Sequence, residues 1–100
     1  MKLMSMLFSP TPFRNTTACN RLWLAPMCTY SAVQEDGRAT DWHTLHYGSR
    51  AVGGFGTIVV EATAVSPEGR ISPRDLGLWD DGQIDSFSKL VKAVHAEGAL

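Results

Sequence analysis

A thiol and a phenol lie two residues apart, at Cys28 and Tyr30, shortly after an apolar run. That run, residues 22–24, predicts a buried strand, and Pro26 ends its ladder because proline has no N–H to donate. In sheets and barrels of the α/β class, ligands bind at the carboxyl ends of the strands. We therefore expect the chemistry of this chain near residues 25–30, although a single Cys or Tyr is often only a core residue.

Three further groups of residues have both a chemical and a structural interpretation. Glu61, near the end of an apolar strand, is either a catalytic carboxylate or a buried acid satisfied by arginine or backbone donors, and the second is commoner. His43 and His46 are three residues apart without the Glu of an HExxH pattern, so no metal site is expected. The glycines at 53–56 follow a helix and precede a strand, which is the reverse of a phosphate loop.

The elements that must position these residues begin with an arm or hairpin over residues 1–20, predicted from its prolines and turn-forming polar residues. Residues 21–25 form the first core strand. A helix then begins after Thr40, a good N-cap, and ends at the glycines at 53–54. Its apolar positions recur at spacings of three, four and three, so one face should pack inward. That face holds Trp42, Leu45, Ser49 and Val52.

The second half of the chain repeats this order. Residues 57–60 are β-branched and predict a strand buried on both faces, which continues to residue 65. A long loop is expected over residues 66–79. Asp80 and Gln83 have the spacing of a capping box before a second helix. The inward face of that helix is Ile84, Phe87, Leu90, Val91 and Val94, and residues 99–100 lead into another strand.

Strand, helix, strand, helix after an arm is the order of a right-handed parallel βαβ unit. The fold class is therefore α/β, and the residues alone indicate the front of a larger barrel or doubly wound domain. A (β/α)₈ barrel takes about 250 residues, so 100 residues would be well under half of one.

Composition excludes several classes of function. A net charge of −1 gives no reason to expect a nucleic acid or an anionic membrane as partner. No apolar run approaches the roughly 20 residues of a membrane span, and the first eight residues lack the pattern of a signal peptide. Two cysteines, Cys19 and Cys28, are too few for a disulfide framework and suit a reducing cytoplasm, so a bridge between them is not expected.

Several motifs occur together in one order and spacing: Asn20-Arg21, then residues 25–30 (APMCTY), 41–47 (DWHTLHY), 60–71 (VEATAVSPEGRI) and 75–79 (DLGLW). Together they closely resemble the N-terminal part of the old yellow enzyme family of FMN-dependent ene-reductases. The Pro-Met-Cys-x-Tyr form is similar to the thermophilic-like branch of that family, which contains NADPH dehydrogenases. The resemblance runs from about residue 7 to residue 98.

This resemblance implies the N-terminal part of a (β/α)₈ barrel, with the hairpin arm followed by the first two βα units over residues 21–100. It implies FMN at the carboxyl ends of the strands, NADPH as the reductant, and an activated alkene such as an enone as substrate. These expectations concern the full-length parent enzyme, because residues 1–100 alone are not expected to be active. The residues that match cofactor-binding positions are Ala25, Pro26, Met27, Cys28 and Ala62. Cys28 would tune the flavin potential, since its S–H is a weak donor. Tyr30 would face the substrate.

Two other hypotheses stay open on the sequence. One is a different flavin or non-flavin barrel enzyme with the same βαβ opening. The other is a non-catalytic fragment or assembly module whose exposed strand edges pair with another chain, since the sequence stops at Leu100. For the enzyme, we expect a homo-oligomer in the cytoplasm that acts on a small molecule, without a metal.

Overall fold

The computed structural model describes residues 5–100. A single 3₁₀ turn, Met6–Phe8, leads into a hairpin of strands β1 (Thr11–Phe13) and β2 (Thr16–Ala18). Arg14 adopts the left-handed conformation, with φ of 52°, in the two-residue turn. The predicted hairpin is confirmed. Residues 1–4, on which part of the signal-peptide argument depended, lie outside the described residues, and the division of the arm from the barrel units at residue 20 stays a prediction.

A parallel βαβ unit follows the hairpin, as predicted. Strand β3 (Trp23–Leu24) leads to helix α1 (Asp41–Val52) and then to strand β4 (Thr57–Ile58), which pairs with β3 in parallel. Leu100 lies on the other side of β4: its N–H donates to the Gly56 carbonyl at 2.9 Å, and its carbonyl accepts from Ile58 N–H at 2.8 Å. This is the bonding pattern of a third parallel strand.

The inward face of α1 differs from the predicted one. The buried residues are His43, Tyr47 and Ala51, at spacings of four. All four members of the predicted face are exposed instead, namely Trp42, Leu45, Ser49 and Val52. The prediction was wrong because periodicity counts only apolar positions. Here two of the three inward side chains carry polar groups, and those groups meet a buried carboxylate.

The predicted strand over residues 57–65 is two short strands. After β4, strand β5 (Thr63–Ala64) pairs in parallel with β6 (Leu76–Gly77), which lies inside the segment predicted to be only a loop. Helix α2 (Ile84–Ala96) follows a 3₁₀ turn, Asp81–Gln83. The predicted capping box is confirmed, because Asp80 Oδ1 accepts from Gly82 N–H at 2.7 Å and Gln83 Oε1 accepts from Asp80 N–H at 3.1 Å.

The core lies between the two helices and the parallel strands. Its buried members are Leu24, Tyr47, Ala51, Leu90, Val94 and Ala99. On α2, Leu90 and Val94 of the predicted face are buried, whereas Ile84 and Val91 are exposed. Neither helix within residues 5–100 is long and apolar enough to cross a membrane.

Candidate functional site

The predicted site residues lie directly after two adjacent parallel strands. Residues 25–28 follow β3, and Ala62 lies four residues beyond the end of β4. Ala25, Pro26, Met27 and Ala62 are exposed, and Cys28 is half-buried with a free thiol. Because β3 and β4 run in parallel, these residues share one edge of the sheet, which is the edge where α/β folds bind ligands.

A buried carboxylate joins the two strand ends. Glu61 is 3% exposed, and its Oε1 accepts from Thr29 N–H at 3.2 Å and faces the Thr29 hydroxyl at 3.0 Å. Thr29 lies between Cys28 and Tyr30, and Glu61 precedes Ala62. The contact therefore holds the segment after β3 against the segment after β4, with the predicted residues on either side of it.

Tyr47 fixes the same carboxylate from helix α1. Its hydroxyl donates to Glu61 Oε2 at 2.6 Å and accepts from Glu61 N–H at 3.0 Å, so one phenol satisfies both the side chain and the backbone of Glu61. Burial and the hydrogen bond to Glu61 raise the pKa of Tyr47 well above its ordinary value, and the nearby Cys28 thiol adds to the effect. Tyr47 is thus a neutral donor at physiological pH.

His43 completes the polar cluster one helical turn earlier. Its Nδ1 accepts from Thr40 N–H at 2.9 Å, which leaves the proton on Nε2. Nε2 lies 3.9 Å from Glu61 Oε1 and makes no hydrogen bond with residues 5–100. Burial lowers the pKa of His43 by more than the charge of Glu61 raises it. A neutral ring therefore faces the carboxylate.

Tyr30 adopts the left-handed conformation, with φ of 53°, and is 47% exposed. For a residue with a bulky side chain this backbone costs on the order of 1–3 kcal/mol. The anchors on both sides maintain it: Glu61 binds Thr29, the Ser31 hydroxyl donates to the Thr29 carbonyl at 2.9 Å, and Ala32 N–H donates to the Arg74 carbonyl at 3.0 Å. The phenol is consequently held outward at the strand end.

Sequence reasoning missed two members of this site, Thr29 and Tyr47, and it named His43 only beside His46, without linking it to Glu61. Glu61 was expected to be satisfied by arginine or backbone donors, but two hydroxyls and one backbone N–H surround it. No lysine or arginine of residues 5–100 forms an ion pair with it. Two features of the sequence could have indicated this cluster. One is Glu61 in an apolar strand, and the other is the spacing of His43 and Tyr47, four residues apart on one helix face.

The strand ends fit the flavin that the resemblance implies. The backbone N–H groups of Met27, Cys28 and Ala62 have no acceptor among residues 5–100, although they are in folded segments. An isoalloxazine ring carries carbonyl oxygens and ring nitrogens that accept such donors, and the exposed alanines at positions 25 and 62 leave room for a ring to approach the backbone. Among the described residues no group of His, Cys, Asp or Glu is placed to hold a metal ion.

A separate apolar groove lies between α1 and α2. Its lining includes Leu45, Gly48, Val52, Ala93 and Ala96. None of the predicted site residues lines it, so the groove is separate from the strand-end site.

Several known proteins are similar to this chain in sequence and in structure. Residues 6–100 match the model of the NADH:flavin oxidoreductase / NADH oxidase family. The chain is 50% identical over 95 residues to an NADPH dehydrogenase of Geobacillus sp. (strain WCH70), covering 95% of this chain and 28% of that protein. The old yellow enzyme homologue from Zymomonas mobilis superimposes with a TM-score of 0.86 at 36% identity, covering 96% of this chain and 26% of that one. Morphinone reductase gives a TM-score of 0.83 at 32% identity, over 93% and 24% of the two chains.

The chain thus spans about a quarter of the length of these relatives. The predicted fold, the N-terminal part of a (β/α)₈ barrel, is confirmed by these structural neighbours. With the family model matched over nearly all of its residues, the chain belongs to the NADH:flavin oxidoreductase / NADH oxidase family.

Proposed function

We propose that this chain forms one wall of an FMN site in an NAD(P)H-dependent reductase of activated carbon–carbon double bonds. The observation that carries the proposal is the Thr29–Glu61 contact, which brings the Cys28 and Ala62 strand ends together at the ligand-binding edge of the sheet. The names of the relatives support a flavin and a nicotinamide reductant, with NADPH in the 50% identical protein. A bound flavin supplies hydride transfer between the nicotinamide and the β-carbon of the alkene.

Each residue has a distinct role in this proposal. The flavin ring would lie against the backbone of Ala25, Pro26, Met27 and Ala62. Among these, Met27 and Ala62 have backbone N–H groups without an acceptor among residues 5–100. Cys28 offers a weak S–H donor, which stabilises oxidised and reduced flavin differently. Tyr30 contributes an exposed hydroxyl that contacts the substrate.

The test is anaerobic spectroscopy of the purified full-length protein. NADPH should bleach the flavin absorbance, and cyclohexenone should restore it. A bound flavin that cyclohexenone does not reoxidise would favour a different flavin enzyme. A colourless polypeptide that self-associates would favour the assembly module and contradict the proposal.

Tyr30→Phe should raise KM for the enone several-fold while FMN content stays at the level of the unsubstituted protein. The reason is that the hydroxyl contacts substrate and not the flavin. Steady-state kinetics and the flavin-to-protein absorbance ratio measure the two quantities. Loss of FMN would show that Tyr30 belongs to the cofactor site instead.

We also infer a cytoplasmic homo-oligomer. Free thiols at Cys19 and Cys28 support a reducing compartment. The exposed apolar residues of α1, Trp42, Leu45 and Val52, support a protein contact. Sedimentation velocity should show a multimer that Leu45→Lys dissociates, whereas a monomer before substitution would contradict the inference.

A further inference from the structure

We propose that Glu61 is a positioning residue, which holds Cys28 and Tyr30 at the flavin-binding edge through its contact with Thr29. This proposal rests on the proposed function, because it assigns Glu61 as the buried support of the exposed residues of the flavin site. The Glu61 carboxylate and the Thr29 hydroxyl would contact neither the flavin nor the substrate.

The first step is the free-energy cost of burying the Glu61 carboxylate. Glu61 is buried without a lysine or arginine partner among residues 5–100, which is unfavourable unless its oxygens are hydrogen-bonded. The Tyr47 hydroxyl donates to Oε2 at 2.6 Å, and Oε1 accepts the Thr29 N–H at 3.2 Å. A neutral amide or an apolar side chain would pack this core with less loss of hydration, so packing alone does not account for an acid here.

The second step is what the acid does for the segment beside it. Pro26 has no N–H, and Met27 and Cys28 make no backbone hydrogen bond with residues 5–100, so no ladder holds this stretch. Thr29 is the first residue after β3 whose N–H is held, and Glu61 holds it. The strained backbone of Tyr30 follows directly. Without the carboxylate, residues 26–30 lose the anchor that sets the direction of the thiol and the phenol.

The third step is the support behind the acid. Tyr47 binds both the carboxylate and the N–H of Glu61, and His43 faces Oε1 from one turn earlier in α1. Helix α1 is thereby connected to the strand ends through one side chain. Two discrete polar bonds give a more definite geometry than apolar contacts, which is why such groups suit a site that must hold its parts in register.

The experiment measures alkylation of Cys28 by iodoacetamide in the FMN-loaded protein, by peptide mass spectrometry. Cys19, a free and exposed thiol on the hairpin arm, is the internal reference. Thr29→Val removes the hydroxyl without changing charge, and Glu61→Gln keeps the size of the side chain. We expect each to raise the Cys28-to-Cys19 rate ratio roughly two- to tenfold, the range for one lost hydrogen bond. Thr29→Ser retains the hydroxyl, so this variant should keep the ratio of the unsubstituted protein.

Thr57→Val is the matched control, because the Thr57 hydroxyl is buried in the same sheet and has no partner among residues 5–100. It should leave the ratio unchanged. An unchanged ratio in both Thr29→Val and Glu61→Gln would overturn the proposal. An equal rise in Thr57→Val would also overturn it, since it would show general loosening of the fold.

The flavin midpoint potential separates this proposal from the proposed function. Thr29→Val should shift the potential in the same direction as Cys28→Ala. If the alkylation ratio rises while neither variant shifts the potential, the positioning role is supported and the redox role of Cys28 is refuted. If Cys28→Ala shifts the potential while Thr29→Val and Glu61→Gln both leave the alkylation ratio unchanged, the flavin site stands and the positioning role is refuted.

Discussion

His43 is completely buried, and its Nε2 has no hydrogen-bond partner among residues 5–100, which makes it the residue through which acid should act on the fold. Burial lowers its pKa below the ordinary value of 6.5, so the unfolded chain takes up a proton at a pH where the folded chain does not. Stability is therefore unaffected by this group above about pH 6.5 and falls as the pH drops below it.

The free energy of unfolding should decrease below about pH 6.5 with a slope of at most about 1.4 kcal/mol per pH unit from this residue. His43→Gln should remove that part of the slope in urea titrations run at several pH values. His46 is half-buried and its pKa is also lowered, by burial first and then by Arg50, so His46→Gln is measured beside it. A slope that survives His43→Gln unchanged would contradict the assignment.

At the residue scale the sequence indicated candidate site residues, but it did not indicate the contacts that hold them together. Cys28 and Tyr30 are recognisable because they follow a short apolar strand. Thr29 has no such signal, because its role depends on Glu61, which is 32 residues away and becomes a neighbour only when β3 and β4 pair. The roles of Cys28, Tyr30 and Ala62 toward a flavin are proposals.

Among the elements, α1 shows how a polar contact can override apolar periodicity. The helix begins after Thr40, as its N-cap predicts, but it buries the face that carries His43 and Tyr47. Strand β6 was missed for another reason: it has only two residues, lies between proline and glycine turns, and forms only because β5 lies beside it. The start of helix α2 was predicted well, since its capping box is local in the sequence, but Ile84 and Val91 of its predicted inward face are exposed.

Substitution of two glycines by alanine should change the free energy of unfolding in opposite directions, because one glycine is closely packed and the other is not. A methyl group on Gly56 would overlap the side-chain oxygen of Asn20, which accepts from Leu22 N–H at 2.9 Å. Gly56→Ala should therefore lower the free energy of unfolding by about 1–3 kcal/mol.

Gly48, inside α1, has no atom within 4 Å of an added methyl group, so Gly48→Ala should raise stability by about 0.5–1 kcal/mol through helix propensity. Chemical denaturation of both variants gives the comparison. Equal effects of the two substitutions would contradict the packing of Asn20 on Gly56.

Residues 5–100 form an elongated unit, with extents of 55 × 25 × 22 Å and a radius of gyration of 15.2 Å. A compact domain of 100 residues has a radius of gyration of about 13 Å. Apolar side chains are accordingly exposed on several faces, with Leu45, Val65 and Ile71 each more than 70% accessible. The sequence, with only two core strands and two helices, indicates a parallel sheet whose faces are half covered. It could not predict which helix face stays uncovered.

The central claim is that the end of strand β3 is one wall of a flavin site, with Cys28 against the ring. The most direct measurement is the midpoint potential of bound FMN in Cys28→Ala, with Cys19→Ala as the matched cysteine control. The account predicts a shifted potential and full FMN occupancy in Cys28→Ala, and no shift in Cys19→Ala. An unchanged potential in Cys28→Ala, or equal shifts in the two variants, would contradict it.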